Sequence, residues 1–134
     1  MPVAGPLAYL DTSAYVKLPL AEPERDALRA ELGRWEGYVS SAFLSVEAVR
    51  ACARYGPQYA NQAQAGLAGL ALVPVDDKVM AVAARLEPNS LRSLDALHLA
   101  TALSLGADVG VLIAYDQRLL EAANEYDIET VQPR

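Results

Sequence analysis

The chain has 134 residues, 53% of them hydrophobic, with eleven Lys and Arg against seventeen Asp and Glu for a net charge of −6. That length and apolar share suit one domain over residues 1–134 with a real core, and exclude a disordered chain. The acidic balance argues against a passive nucleic-acid binder, which would be basic, and leaves open an enzyme whose acids hold cations.

Cys52 is the one cysteine, so no disulfide forms within the chain, and a reducing cytoplasm is expected. The opening Met1-Pro2-Val3-Ala4-Gly5-Pro6 lacks the basic and long apolar regions of a signal peptide. No stretch approaches the ~18 uninterrupted apolar residues of a membrane span. The expectation is a soluble cytoplasmic protein with no membrane partner.

In chain order, Leu7-Ala8-Tyr9-Leu10 reads as a buried strand bounded by Gly5-Pro6 and by Asp11-Thr12-Ser13. Thr12 to about Leu18 reads as a short helix stopped by Pro19, and a second helix opens near Glu22-Pro23-Glu24, with Leu28 and Leu32 on its apolar stripe. Gly33 or Gly37 ends it, and Tyr38-Val39-Ser40 is a brief strand. Ser41 or Ser45 is a natural cap for a helix running to about Tyr55, where Gly56-Pro57 breaks it.

Residues 57–69 read as helical, and Leu70 to Val75 as a strand whose Pro74 suits an edge. Asp76-Asp77 starts a helix ending near Glu87-Pro88-Asn89. Ser93 is expected to cap Leu94–Leu105, which Gly106 closes. Val109–Ala114 is the clearest strand, Asp116 leads into a helix to about Tyr126, and 128–131 reads as a final strand. Strands separated by helices require crossovers, so the fold is a three-layer α/β domain with a mainly parallel sheet and helices on both faces.

Four acids stand out. Asp11 and Asp116 share one context of apolar strand, acid and helix, which places both at the carboxyl edge of a parallel sheet, where open α/β folds bind ligands. Asp95 lies in the first turn of its helix, and Glu47 lies inside a helix with Arg50 and Arg54 three and seven residues on. Four oxygen donors form a hard set suited to Mg²⁺ or Mn²⁺. Such an ion would relieve carboxylate repulsion, activate water and stabilise charge on a phosphodiester. Each acid has a plainer reading: the three aspartates as helix caps or first-turn acids, and Glu47 as half of a surface ion pair with Arg50.

Leu10-Asp11-Thr12-Ser13-Ala14, Ser45-Val46-Glu47, Leu94-Asp95-Ala96-Leu97-His98-Leu99-Ala100-Thr101-Ala102 and Tyr115-Asp116-Gln117-Arg118-Leu119 stand in the order and spacing of the PIN-domain family. The chain resembles its VapC toxins of bacterial toxin–antitoxin pairs over nearly its whole length. The resemblance implies a PIN-like fold and a Mg²⁺- or Mn²⁺-dependent ribonuclease using Asp11, Glu47, Asp95 and Asp116. It also implies an RNA substrate, a homodimer and a cognate antitoxin whose tail inhibits the site. One departure is Ala114, where the family usually carries Thr or Ser two residues before the last acid; a weaker second metal site is the expected result.

Among the remaining residues, His98, the only histidine, reads as a helix-packing side chain before a catalytic base. Thr12 and Ser13 either orient Asp11 or a phosphate, or simply cap a helix. Lys17, Arg50, Arg54, Arg92 and Arg118 are open to RNA phosphates or are solvated charges. Cys52 reads as buried and inert, and Trp35 and Tyr38 as core by default, with an edge or dimer contact as the alternative. The main rival is a regulatory binding protein on the same fold without turnover, favoured by Ala114. A weaker one is a phospho-acceptor receiver domain, which also clusters acids at strand ends but is disfavoured because Arg118 is no substitute for a lysine after the last core strand.

Overall fold

The computed structural model describes residues 5–134; Met1–Ala4, read above as part of an opening without a signal peptide, lie outside it. Leu7–Leu10 forms β1 and Asp11 caps a single helical turn, Thr12–Tyr15 (α1). This turn is shorter than the sequence suggests. Pro19 disfavours helical backbone before it, and the chain proceeds through turns, with Ala21 at φ 53°, to Arg25–Leu32 (α2).

Gly37–Ser41 (β2) leads to Leu44–Ala53 (α3), then Pro57–Gly66 (α4), continued by a 3₁₀ turn at Leu67–Gly69. Neither Ser41 nor Ser45 occupies the N-cap of α3; Phe43 does, without a side-chain bond, and the Ser45 hydroxyl donates back to the Ala42 carbonyl. Gly56 carries the chain between α3 and α4 at φ 139°, a conformation that side chains resist, and Pro57 starts α4 with its fixed φ.

Ala71–Val73 (β3) is followed by Asp77–Ala83 (α5), which ends short of Glu87 because Leu86 and Leu91 turn back into the core. Ser93–Ser104 (α6) has Arg92, not Ser93, at its N-cap. Val109–Ile113 (β4), Gln117–Glu125 (α7) with Asp116 as cap, and Thr130–Val131 (β5) complete the chain.

Among the described residues the strands form one parallel sheet in the order β3-β2-β1-β4-β5, with β3 at an edge as Pro74 led us to expect. Alternation along β1 divides the core. Tyr9 packs with Leu112, Leu99, Ala102, Leu119 and Ala123 beneath α6 and α7, while Ala8 and Leu10 pack with Val111, Ile113, Ala14 and Leu28 beneath α1 and α2. Trp35 and Tyr38 join this second layer. A third cluster of Tyr15, Leu44, Ala48, Cys52, Ala63 and Leu67 binds the α3–α4 pair to α1.

The chain leaves β1 toward β2 and β3, then returns to place β4 on the other side of β1. That reversal between β1 and β4 is a topological switch point, which leaves a crevice outside the carboxyl ends of the two strands. The close approach there is fixed by hydrogen bonding: the Asp11 amide donates to the Ile113 carbonyl at 3.2 Å. No helix among the described residues is long and apolar enough to cross a membrane.

Candidate acidic centre at the switch point

Asp11 leaves β1 at the crevice and is 2% exposed. Its carboxylate accepts the Ala14 amide at 2.9 Å, as a helix cap does, and the Ser13 hydroxyl at 2.7 and 2.8 Å. Ser13 also accepts the Tyr115 amide at 2.9 Å, so one hydroxyl joins the ends of β1 and β4. The Asp11 carboxyl is pushed up to about 6, mainly by burial and slightly further by the charge of Asp95; the His98 ring and the bonds from Ser13 and Ala14 offset part of the rise.

Asp95 projects from the first turn of α6. Burial, followed by the charge of Asp116, raises its pKa. Arg92 lies between the two acids: Nε is 3.7 Å from Asp95, and an Nη donates to Asp116 at 3.0 Å. Asp116 further accepts the amides of Arg118 and Leu119 at 2.9 and 3.2 Å. The capping readings of Asp11 and Asp116 therefore hold, and both acids still face the crevice. Ala114 is wholly buried in the apolar layer and offers no hydroxyl; backbone amides and Arg92 hold Asp116 instead.

Glu47 does not pair with Arg50. Its carboxylate accepts the Thr12 hydroxyl and lies 3.7 Å from Nε2 of His98. Burial would raise its pKa, but the neighbouring His98 ring, the bond from Thr12 and the charge of Arg92 prevail and hold it below the usual range. Glu47 thus meets α1 and α6, with 29% of its side chain still open to solvent.

The four acids predicted from sequence come from four elements and are linked through Asp95, which acts on Asp11 and is itself acted on by Asp116 and Glu47. Among the described residues, no group of three or more His, Cys, Asp or Glu side chains is already arranged to hold a metal ion. Each acid is turned toward a protein partner instead. The donor chemistry nonetheless fits a hard cation: all donors are oxygen, two pKa values are raised, and a guanidinium already occupies the gap between Asp95 and Asp116.

Among the predicted RNA-contacting cations, Lys17 is removed from that role. It is 9% exposed, paired with Glu24 at 3.3 Å and Glu22 at 3.9 Å, and lies 4.4 Å over the Tyr115 ring. Arg92 and Arg118 line an open depression with Asp116 and Gln117, and Arg50 and Arg54 are exposed on and just beyond α3. Cys52 is buried, and burial raises its thiol pKa, as expected of an inert cysteine. Sequence reasoning missed the Arg92 clamp, although its spacing of three residues from Asp95 was a usable signal. It also missed Tyr9, which bonds His98, because no local pattern connects residues 89 positions apart.

This is an α/β protein with a carboxylate centre at the switch point of a parallel sheet. The PIN domain family model matches residues 8–125. Ribonuclease VapC46 of Mycobacterium tuberculosis is 44% identical over 125 residues, covering 93% of this chain and 96% of that protein. The chain belongs to the PIN domain family, and within it to the VapC type. Solved structures share the fold. Mycobacterium tuberculosis VapC20, titled a sarcin-ricin loop cleaving toxin, aligns with TM-score 0.74 at 16% identity over 94% of this chain and 99% of its own. VapBC2 of Rickettsia felis, solved bound to a DNA fragment from its promoter, gives 0.72 at 14% identity over 96% and 99%.

Proposed function

We propose that the chain is a ribonuclease toxin of a toxin–antitoxin pair, one PIN-like domain over residues 1–134, acting in the cytoplasm and dependent on Mg²⁺ or Mn²⁺. The observation that supports this reading is that Asp11, Glu47 and Asp116, from three other elements, each share a charge interaction with Asp95, in a chain 44% identical to a VapC ribonuclease. Asp11, Asp95 and Asp116, with Glu47 at the margin, would hold the ion. Bound there, a divalent ion supplies Lewis-acid stabilisation of the phosphodiester and acidifies water.

The protein's own groups do the rest. Glu47, held ionised by Thr12 and the neighbouring His98 ring, orients the attacking water. Ser13 and the Ala14 amide keep the Asp11 carboxylate fixed against the strand ends. Arg92 and Arg118 orient the phosphate at the mouth of the crevice, with Arg50 and Arg54 available farther along the strand of RNA. The partners are RNA, a second copy of the chain and an antitoxin that presents a basic side chain to the acids; the likeness to VapBC2 supports the antitoxin.

The test is purified protein incubated with mixed RNA, with Mn²⁺ or with EDTA, beside Asp11→Asn. Cutting that requires both the metal and Asp11 supports the assignment. A folded protein that never cuts RNA under any of these conditions, yet binds an antitoxin, would be a regulatory binding protein.

A further inference from the structure

Tyr9 on β1, Thr12 on α1, Glu47 on α3 and His98 on α6 form one continuous hydrogen-bonded chain. Tyr9 Oη lies 2.8 Å from His98 Nδ1, His98 Nε2 lies 3.0 Å from Thr12 Oγ1, and Thr12 bonds Glu47. Tyr9 and His98 are 0% and 1% exposed, so the chain starts in the apolar core and reaches the surface at the half-buried Thr12 and Glu47. The imidazole has little room to turn. Phe43 tilts against it at 4.5 Å between ring centroids, and Tyr9 meets it edge-on at 5.7 Å.

The proton order follows from donor and acceptor capacity. An ionised carboxylate only accepts, so the Thr12 hydroxyl gives its single proton to Glu47. Thr12 Oγ1 then has only lone pairs left for His98, and Nε2 must carry a proton. With one ring proton on Nε2, Nδ1 is an acceptor and takes the Tyr9 proton. All three bonds then point toward Glu47, and aligned bonds in a dry interior reinforce one another.

We infer that His98 is a positioning residue for the acidic centre, acting in its Nε2–H form to lock Thr12 and, through it, the carboxylate of Glu47. Asp11 and Asp116 are fixed by backbone amides, whereas Glu47, in the first turn of α3, caps no amide and takes its orientation from this side-chain chain. The inference rests on the assignment of Glu47 above, but it concerns a residue that touches neither substrate nor ion.

Because His98 is the only histidine, one labelled residue type reports on it. In ¹⁵N-histidine-labelled wild-type protein in EDTA at about pH 8, long-range ¹⁵N–¹H correlation should show a protonated Nε2 and an acceptor Nδ1. The opposite tautomer, or a doubly protonated ring, overturns the inference whether or not the protein cuts RNA. Kinetics on a single RNA substrate supply the second arm. His98→Leu and Thr12→Val should lower kcat about 10–100-fold and leave KM within about threefold. His98→Gln, whose amide N–H stands in for Nε2–H, and Thr12→Ser should restore most of the loss. Full kcat in folded His98→Leu, or a loss confined to KM, overturns it. The predicted tautomer in a wild-type protein that cuts no RNA leaves the hydrogen-bonded chain standing and removes the ribonuclease assignment instead.

Discussion

Replacing Asp11 by Asn tests whether this acid is a functional group that the fold tolerates at a cost. The interval between an ordinary carboxylate value of 3.8 and about 6 corresponds to about 3 kcal/mol of disfavoured ionisation. Because the folded pKa is the higher one, the native state binds the proton more tightly than the unfolded chain does. The contribution of Asp11 to stability is therefore most favourable below about pH 4, falls as pH rises from about 4 to about 6, and stays low above that. Asn has no charge to desolvate, and its amide oxygen can still accept from the Ala14 amide and the Ser13 hydroxyl. The net gain for Asp11→Asn in EDTA should be about 1–2 kcal/mol at about pH 7.5 and near zero at about pH 4, by urea unfolding. Mn²⁺ should reverse the order at neutral pH by stabilising the wild type more. An equal loss of stability at both pH values would make Asp11 a plain helix cap and refute the reasoning.

Four further outcomes follow from the same geometry. Ser13→Ala removes the donor to Asp11 and the acceptor for the Tyr115 amide, and should cost about 1–3 kcal/mol in urea unfolding while weakening Mn²⁺ binding by calorimetry. Arg92→Gln withdraws the cation lying between Asp95 and Asp116, so less Mn²⁺ should be needed for half-maximal thermal stabilisation; an unchanged requirement would make Arg92 a bystander. Gly110→Ala would drive a Cβ into the Gly5 carbonyl and the Trp35 ring, and should lower the thermal midpoint sharply with near-ultraviolet circular dichroism reporting the disturbed tryptophan. Asp95→Asn should abolish RNA cleavage while circular dichroism shows an intact fold, since the substitution lowers repulsion at the site.

The sequence by itself determined the layer architecture. Apolar runs such as Val109–Ile113 alternate with helical periods, and parallel crossovers are the connection such an alternation allows. It also placed Asp11 and Asp116, because an acid following an apolar strand and opening a helix needs only local pattern to be located at the sheet's edge. Helix limits were less legible. Ser93 looks like a cap, yet α6 starts on it and Arg92 takes the cap position with its side chain across to Asp116. Glu47 beside Arg50 looks like a surface ion pair at three-residue spacing, yet α3 docks so that Glu47 turns inward to Thr12 and His98. Lys17 looks like a free cation, yet it is enclosed by Glu22, Glu24 and Tyr115. Local periodicity encodes which face of an element is apolar, whereas the partner of a polar side chain is set by how distant elements dock. The partners of Glu47, Lys17 and His98 were therefore decided only by the tertiary structure.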